Sequence, residues 1–229
     1  MIIEFLGVPG AGKSYLAEKV AKEGKDKGLK VVNVNNMRQT SFSWKAIFKI
    51  LRTILPYYAE PKKEIKELKK LSYSYSNTVP AYNKPHVRID RYIKLSVILQ
   101  VLYSHYAKSE TLYIFDEGIA QEYANMIVNF NLDKKTVGEM TERIDRQFDI
   151  VYLSCPTNDV LTSIKERDRH VCFIDELSGN ELVEYLENYK LACDNLAECF
   201  DVIKVDRQSN IDMNIKTIFE SIKDREKQS

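Results

Sequence analysis

The sequence predicts a doubly wound α/β protein with five parallel strands and a helical lobe inserted between the second and third. Three observations predict it. Residues 1–36 hold an apolar strand, a glycine-rich turn, a helix and a β-branched strand, which is the order of a βαβ unit and so of a parallel sheet. Three further short apolar runs follow at residues 111–116, 150–154 and 201–205, with helical stretches between them. Residues 29–117 contain no glycine, and apolar positions within them recur at helical spacing.

Taken in order, Met1–Leu6 is a strand with one polar interruption at Glu4. Lys13–Lys27 reads as a helix closed by Gly28, and Lys30–Val34 (KVVNV) as the second strand. Trp44, Ile47, Phe48, Leu51 and Leu55 mark a helix that ends near Pro56. Pro61–Leu71 is a short, very basic helix, Ser72–Pro85 a loop rich in Tyr, Ser and Pro, and Val87–Ala107 a longer amphipathic helix. Strands resume with Thr111–Asp116, Ile150–Ser154 and Asp201–Val205. One helix is expected to start at Pro156, where proline suits the first turn, and Asn210–Arg225 is the last helix. The expected organisation is a core of residues 1–36 and 109–229 with an inserted lobe of residues 37–108.

A chain of 229 residues suits one such domain. Its 44% hydrophobic and 29% charged residues exclude a disordered or collagen-like chain. No apolar run approaches the roughly 20 residues that span a bilayer, so no membrane is expected. No signal peptide is expected either, because Ile2 already begins a strand and no basic region precedes it. Cys155, Cys172, Cys193 and Cys199 form no CxxC pair, and His170 beside Cys172 lacks zinc spacing. Reduced, packing cysteines and a cytoplasmic location follow as expectations.

The formal charge of +1 is a cancellation. Residues 37–108 carry 14 Lys/Arg against 4 Asp/Glu, or +10, which leaves 20 against 29, or −9, elsewhere. That asymmetry suits either a basic face for an anionic partner or a solvated basic helix.

Gly7-Val8-Pro9-Gly10-Ala11-Gly12-Lys13-Ser14 matches G-x-x-x-x-G-K-[ST], with a strand before it and a helix after it. Glycines let the backbone fold tightly, so that successive N–H groups point at a phosphate, and the helix N-terminus adds partial positive charge. Pro9 has no N–H, so the donors come mainly from Gly10 onward. Lys13 reaches the β- and γ-phosphates, and the Ser14 hydroxyl ligates Mg²⁺. Gly7, Pro9, Gly10, Ala11, Gly12, Lys13, Ser14 and Tyr15 are the candidate ATP-binding residues, and the fold class is that of a P-loop NTPase.

Phe115-Asp116-Glu117-Gly118 ends the third strand. An apolar strand ending in an acid is the Walker B arrangement, with Asp116 placed to hold Mg²⁺ and Glu117 one residue further as a candidate base. The pair suits two jobs, orienting water for hydrolysis or deprotonating an acceptor hydroxyl, and either carboxylate is a candidate for the base. Arg167 and Arg169 follow the helix after the fourth strand. Their forked guanidinium groups suit the charge of a phosphoryl-transfer transition state, and a solvated helix end is the plainer alternative.

Together these elements resemble the P-loop nucleoside and nucleotide kinases, most of all the thymidylate-kinase-like branch, over residues 1–36 and roughly 109–206. The resemblance implies that Gly12, Lys13 and Ser14 hold ATP and Mg²⁺. It implies that Asp116 takes the place of the acid in the family's Asp-Arg motif, and that Arg167 and Arg169 are lid arginines. Here Glu117-Gly118 follows the acid where the family has arginine, which removes a residue expected near the acceptor phosphate. Asp90-Arg91 loosely resembles the family's monophosphate-gripping helix arginine. The loop pattern GxPGxGKS also resembles small-molecule kinases that act on sugars, antibiotics or peptidoglycan precursors.

In that family the acceptor lobe sits between the second and third strands. Eight of the fourteen tyrosines lie in residues 37–108, where they would stack on a base or sugar while Arg38, Arg88 and Arg91 hold a phosphate. The adenine is expected near Asp206–Ser209, after the last strand. The expected function is therefore an ATP- and Mg²⁺-dependent phosphotransferase acting on a small-molecule acceptor, for which the basic lobe suits an anion. The alternative is an ATPase or regulatory switch whose basic lobe binds nucleic acid or a protein partner. Nucleic acid ranks lower as a partner, and a homodimer is compatible with either.

Overall fold

The computed structural model describes residues 1–34, 99–100, 103, 106–107, 109–130, 132, 134–142, 148–166 and 173–226. Five parallel strands form one sheet: β1 (Ile2–Leu6), β2 (Val31–Asn33), β3 (Leu112–Phe115), β4 (Asp149–Ser154) and β5 (Val202–Asp206), in the order β2-β3-β1-β4-β5. The central strand β1 is buried at all five residues. A parallel strand covered on both faces reads as a nearly continuous apolar run, which is why IIEFL does not alternate. At the edge, β5 does alternate, with Ile203 and Val205 buried and Lys204 and Asp206 exposed.

The helices are α1 (Lys13–Asp26), α2 (Ile119–Phe130), α3 (Lys134–Thr141), α4 (Thr157–Lys165), α5 (Gly179–Cys199) and α6 (Ile211–Glu226), with a 3₁₀ turn at Phe173–Glu176. Leu16, Ala17, Val20 and Ala21 give α1 a buried stripe at helical spacing. In α5 the stripe runs through Leu182, Tyr185, Leu186, Tyr189, Cys193 and Leu196. α1 packs beside α6, and α2 beside α5, so that two helical layers cover the sheet.

The expected strands are all present, with ends shifted by a residue or two; β2, for example, starts at Val31 rather than Lys30. The helix expected to start at Pro156 begins at Thr157 instead. Pro156 is its N-cap, with φ −61° suited to a helix but ψ 138° still extended. Within the expected helix Val87–Ala107, Leu99, Gln100, Tyr103 and Tyr106 are helical. Most of the expected lobe lies outside the described residues. Tyr103 packs on Phe115 and Phe148 with ring centroids 4.8 Å apart in each case, which ties this segment to the core. Among the described residues no helix is long and apolar enough to cross a membrane, and Cys155, Cys193 and Cys199 form no disulfide.

Candidate active site

Strands β1 and β3 are parallel neighbours in the register Ile2↔Tyr113 to Glu4↔Phe115, so the loops that follow them open at the same edge of the sheet. After β1 the chain turns through an Ala11 N–H to Val8 carbonyl bond of 3.0 Å. Gly10 and Gly12 then take φ of 95° and 99°. Those left-handed values would strain any residue with a Cβ, and Gly12 is also the N-cap of α1. The result is a cradle of backbone N–H groups running into the start of a helix, which fits the phosphates of ATP.

Lys13 is only 8% exposed, and its Nζ donates to the carbonyls of Gly7 at 2.8 Å and Val8 at 3.2 Å. The cation thus lies across its own loop. Ser14 Oγ donates to Asp116 Oδ2 at 2.7 Å, joining two residues 102 positions apart in the chain. Two adjacent hard oxygen donors fit Mg²⁺, which takes oxygen ligands from one or two protein groups together with substrate phosphate. Asp116 is partly buried and Glu117, one residue beyond it, is exposed. Tyr15 is 57% exposed, with the Lys19 ammonium 5.3 Å from its ring centroid. Arg38, Arg88, Arg91, Arg167 and Arg169 lie outside the described residues.

Four residues that the motifs did not single out brace this edge. Glu4 is fully buried in β1. It accepts from the backbone N–H of Ile119 at 2.7 Å and of Ala120 at 2.8 Å, and from the Tyr103 hydroxyl at 2.7 Å. Burial pushes its carboxyl up to about 7, against the opposing pull of those three bonds. Gln121 accepts from the Gly7 N–H at 3.2 Å and donates to the Tyr189 hydroxyl at 2.6 Å, which in turn donates to Asn125 Oδ1 at 2.6 Å. Burial holds the Tyr189 phenol well above its ordinary range, so it serves as a neutral donor.

Arg207, in the loop after β5, donates to the Gly10 carbonyl at 3.1 Å and to Ser163 Oγ at 2.7 Å. The expected adenine region thereby reaches the phosphate loop. Arg207 also donates weakly to Cys155 Sγ at 3.7 Å; burial raises that thiol and the guanidinium opposes the rise. The one sequence signal for any of these residues was the polar interruption at Glu4: an acid in a strand buried on both faces must find internal donors. Gln121 and Tyr189 gave none, because each depends on contacts between distant segments, and Arg207 was marked only as part of the expected adenine region.

No family model matches the chain, and no curated protein matches it. Among solved structures, the chain is similar to a deoxyadenosine kinase from M. mycoides, solved with product dCMP and a flexible dCDP bound. The TM-score is 0.51 at 17% identity, covering 98% of this chain and 100% of that one. It is likewise similar to the shikimate kinase from Bacteroides thetaiotaomicron, with a TM-score of 0.50 at 12% identity, covering 97% and 98%. At such identities the likeness is one of fold. The chain has the α/β fold of these P-loop kinases, a five-stranded parallel sheet with helices.

Proposed function

We propose that the chain is an ATP- and Mg²⁺-dependent phosphotransferase that moves the γ-phosphoryl group of ATP to a small-molecule acceptor. The observation that carries this is the 2.7 Å contact between Ser14 and Asp116, which unites the phosphate loop with the acidic strand end. The fold shared with deoxyadenosine and shikimate kinases supports it by analogy. Nucleosides and nucleotides are the favoured acceptors, on the resemblance of the motifs to the thymidylate-kinase-like branch. Other small hydroxyl compounds come next.

In this reading the N–H groups from Gly10 onward and the N-terminus of α1 hold the phosphates. Lys13 turns from the Gly7 and Val8 carbonyls to the β- and γ-phosphates, and Ser14 and Asp116 hold Mg²⁺. Bound there, the metal neutralises charge on the phosphate oxygens. Glu117 is the preferred base, because it is exposed while Asp116 is engaged with Ser14. Its carboxylate takes the acceptor's hydroxyl proton as the acceptor oxygen bonds to the γ-phosphorus and the bond from that phosphorus to ADP breaks. Arg167 and Arg169 close over the transferred group, and Arg38, Arg88 and Arg91 in the basic lobe hold an anionic acceptor.

The test is ATP consumption and phosphate release, with and without nucleosides, nucleotides, sugars and nucleic acid. The expected result is ADP formed in step with a phosphorylated acceptor of one class. Acceptor-independent hydrolysis that rises with nucleic acid or a protein partner would overturn this in favour of an ATPase.

A further inference from the structure

Three buried donors converge on Glu4, a carboxylate that the phosphoryl-transfer chemistry leaves without a task. Glu4 lies three residues before Gly7, and Ile119 lies three residues after Asp116. The bonds from the Ile119 and Ala120 N–H groups, at 2.7 and 2.8 Å, therefore fasten the far end of the acidic bend to the strand that carries the phosphate loop. The fit is close. A Cβ placed on Gly118 would stand 2.0 Å from Glu4 Oε2, so the bend is wrapped directly on the carboxylate. From the other side, the Gly7 N–H bond to Gln121 ties the loop to the same helical turn at 3.2 Å. Both ties join the segment that leads into the loop to the turn that follows Asp116.

Both backbone bonds survive either protonation state of Glu4. When ionised, the carboxylate accepts all three bonds. When protonated on Oε2, it still accepts from both N–H groups, and only the bond to the Tyr103 hydroxyl reverses direction. An amide at this position cannot do the same, because whichever way it turns, its NH₂ faces one of the two backbone donors.

We propose that Glu4 is a positioning residue: its two backbone bonds hold the bend Asp116–Glu117–Gly118 against the phosphate loop and so set the spacing of the Mg²⁺ ligands Ser14 Oγ and Asp116 Oδ2. Its purpose rests on the phosphotransferase reading, but its test needs no acceptor. A fluorescent ATP analogue is bound to wild type and to Glu4→Gln, first in EDTA and then with rising Mg²⁺. The variant is expected to need at least fivefold more Mg²⁺ for half of the metal-dependent tightening, with its metal-free affinity within twofold of wild type. An unchanged Mg²⁺ requirement overturns the proposal. So does a loss of metal-free affinity as large as the loss with metal, which is the mark of a merely structural role.

If Glu4→Gln does not fold, amide exchange in the wild type decides. Ile119 and Ala120 should be protected before Mg²⁺ and ATP are added. Exchange at the rate of exposed amides overturns the proposal. A wild type that binds Mg²⁺ and ATP but phosphorylates no acceptor sinks the phosphotransferase reading and leaves this one standing, whereas a wild type that binds no ATP sinks both.

Discussion

Glu4→Gln also tests the electrostatics of the buried carboxyl, through the pH dependence of stability. The carboxyl has an ordinary value of 4.5 and is pushed up to about 7 in the folded protein, chiefly because burial disfavours the charge. Between those values the folded state binds more protons than the unfolded state, so stability falls as pH rises through the window and levels off above it. At about 1.4 kcal/mol per pH unit, the whole window is worth about 3 kcal/mol, most of it between pH 5 and 8. The amide is neutral throughout and has no such slope. It carries instead a constant cost of about 1–3 kcal/mol, because one backbone N–H is left facing its NH₂. The stability difference between variant and wild type should therefore be largest at pH 5 and shrink by about 2–3 kcal/mol by pH 8.

Urea unfolding followed by far-ultraviolet circular dichroism at pH 5, 6, 7 and 8 measures this directly. Taking the difference between the two proteins removes the titration of every other carboxylate that behaves alike in both. A difference that stays flat across this range, or that grows with pH, would refute the reasoning. It would mean that the three donors hold Glu4 ionised as readily as water does.

The remaining predictions concern the loop and its braces. Lys13→Ala should lower ATP turnover by about 10²–10³-fold, the scale of losing one preorganised charge at the transition state, as read from ADP release; undiminished turnover would remove the site assignment. Gly118→Ala forces a Cβ to 2.0 Å from Glu4 Oε2 and 2.6 Å from its Cβ and Cδ, so it should lower stability by about 3 kcal/mol or more in urea unfolding. The double variant with Glu4→Ala should recover part of that loss, because the two changes share one space, whereas strictly additive losses would contradict the contact. Arg207→Met removes the bonds to the Gly10 carbonyl and Ser163 Oγ and should weaken ATP binding about tenfold in calorimetry. Unchanged affinity would show that the loop holds its shape without Arg207.

What was legible in the sequence depended on how local the signal was. Strand β1, the glycine turn and α1 are contiguous, so their pattern states both the fold and the candidate phosphate site. The acid at the end of β3 was legible because an apolar strand that stops at Asp116 marks a sheet edge, and the sheet brings that edge beside the loop. Glu4 was visible as a polar residue in an apolar strand, but its donors come from residues 103, 119 and 120, which no spacing rule connects to it. Arg207 is the same case, since its partner Gly10 lies 197 positions away. The start at Pro156 was misplaced by one residue because proline fixes φ and leaves ψ free, so the sequence cannot say on which side of the cap it sits.

On the proposed function, the buried polar side chains around the loop divide into a frame and one cation that changes partners. Glu4 and Gln121 bond to the backbone N–H groups of Ile119, Ala120 and Gly7, while Lys13 bonds to the backbone carbonyls of Gly7 and Val8. Bonds to main-chain groups fix the path of the chain whatever side chains it carries, and that path aims the phosphate-binding N–H groups. An anion entering the cradle has no need of the donors that Glu4 and Gln121 occupy, which lie at the loop's entry and beyond the acidic bend. The Lys13 ammonium is different, because the Gly7 and Val8 carbonyls that it bonds are neutral and a phosphate is an anion. A phosphate adds the attraction of opposite charges to the bond that the ammonium already makes, so the exchange favours the ligand while the frame stays in place. On that reading Lys13 is the element whose environment changes most on binding, and the bonds of Glu4 and Gln121 would hold the loop in place before the phosphates arrive.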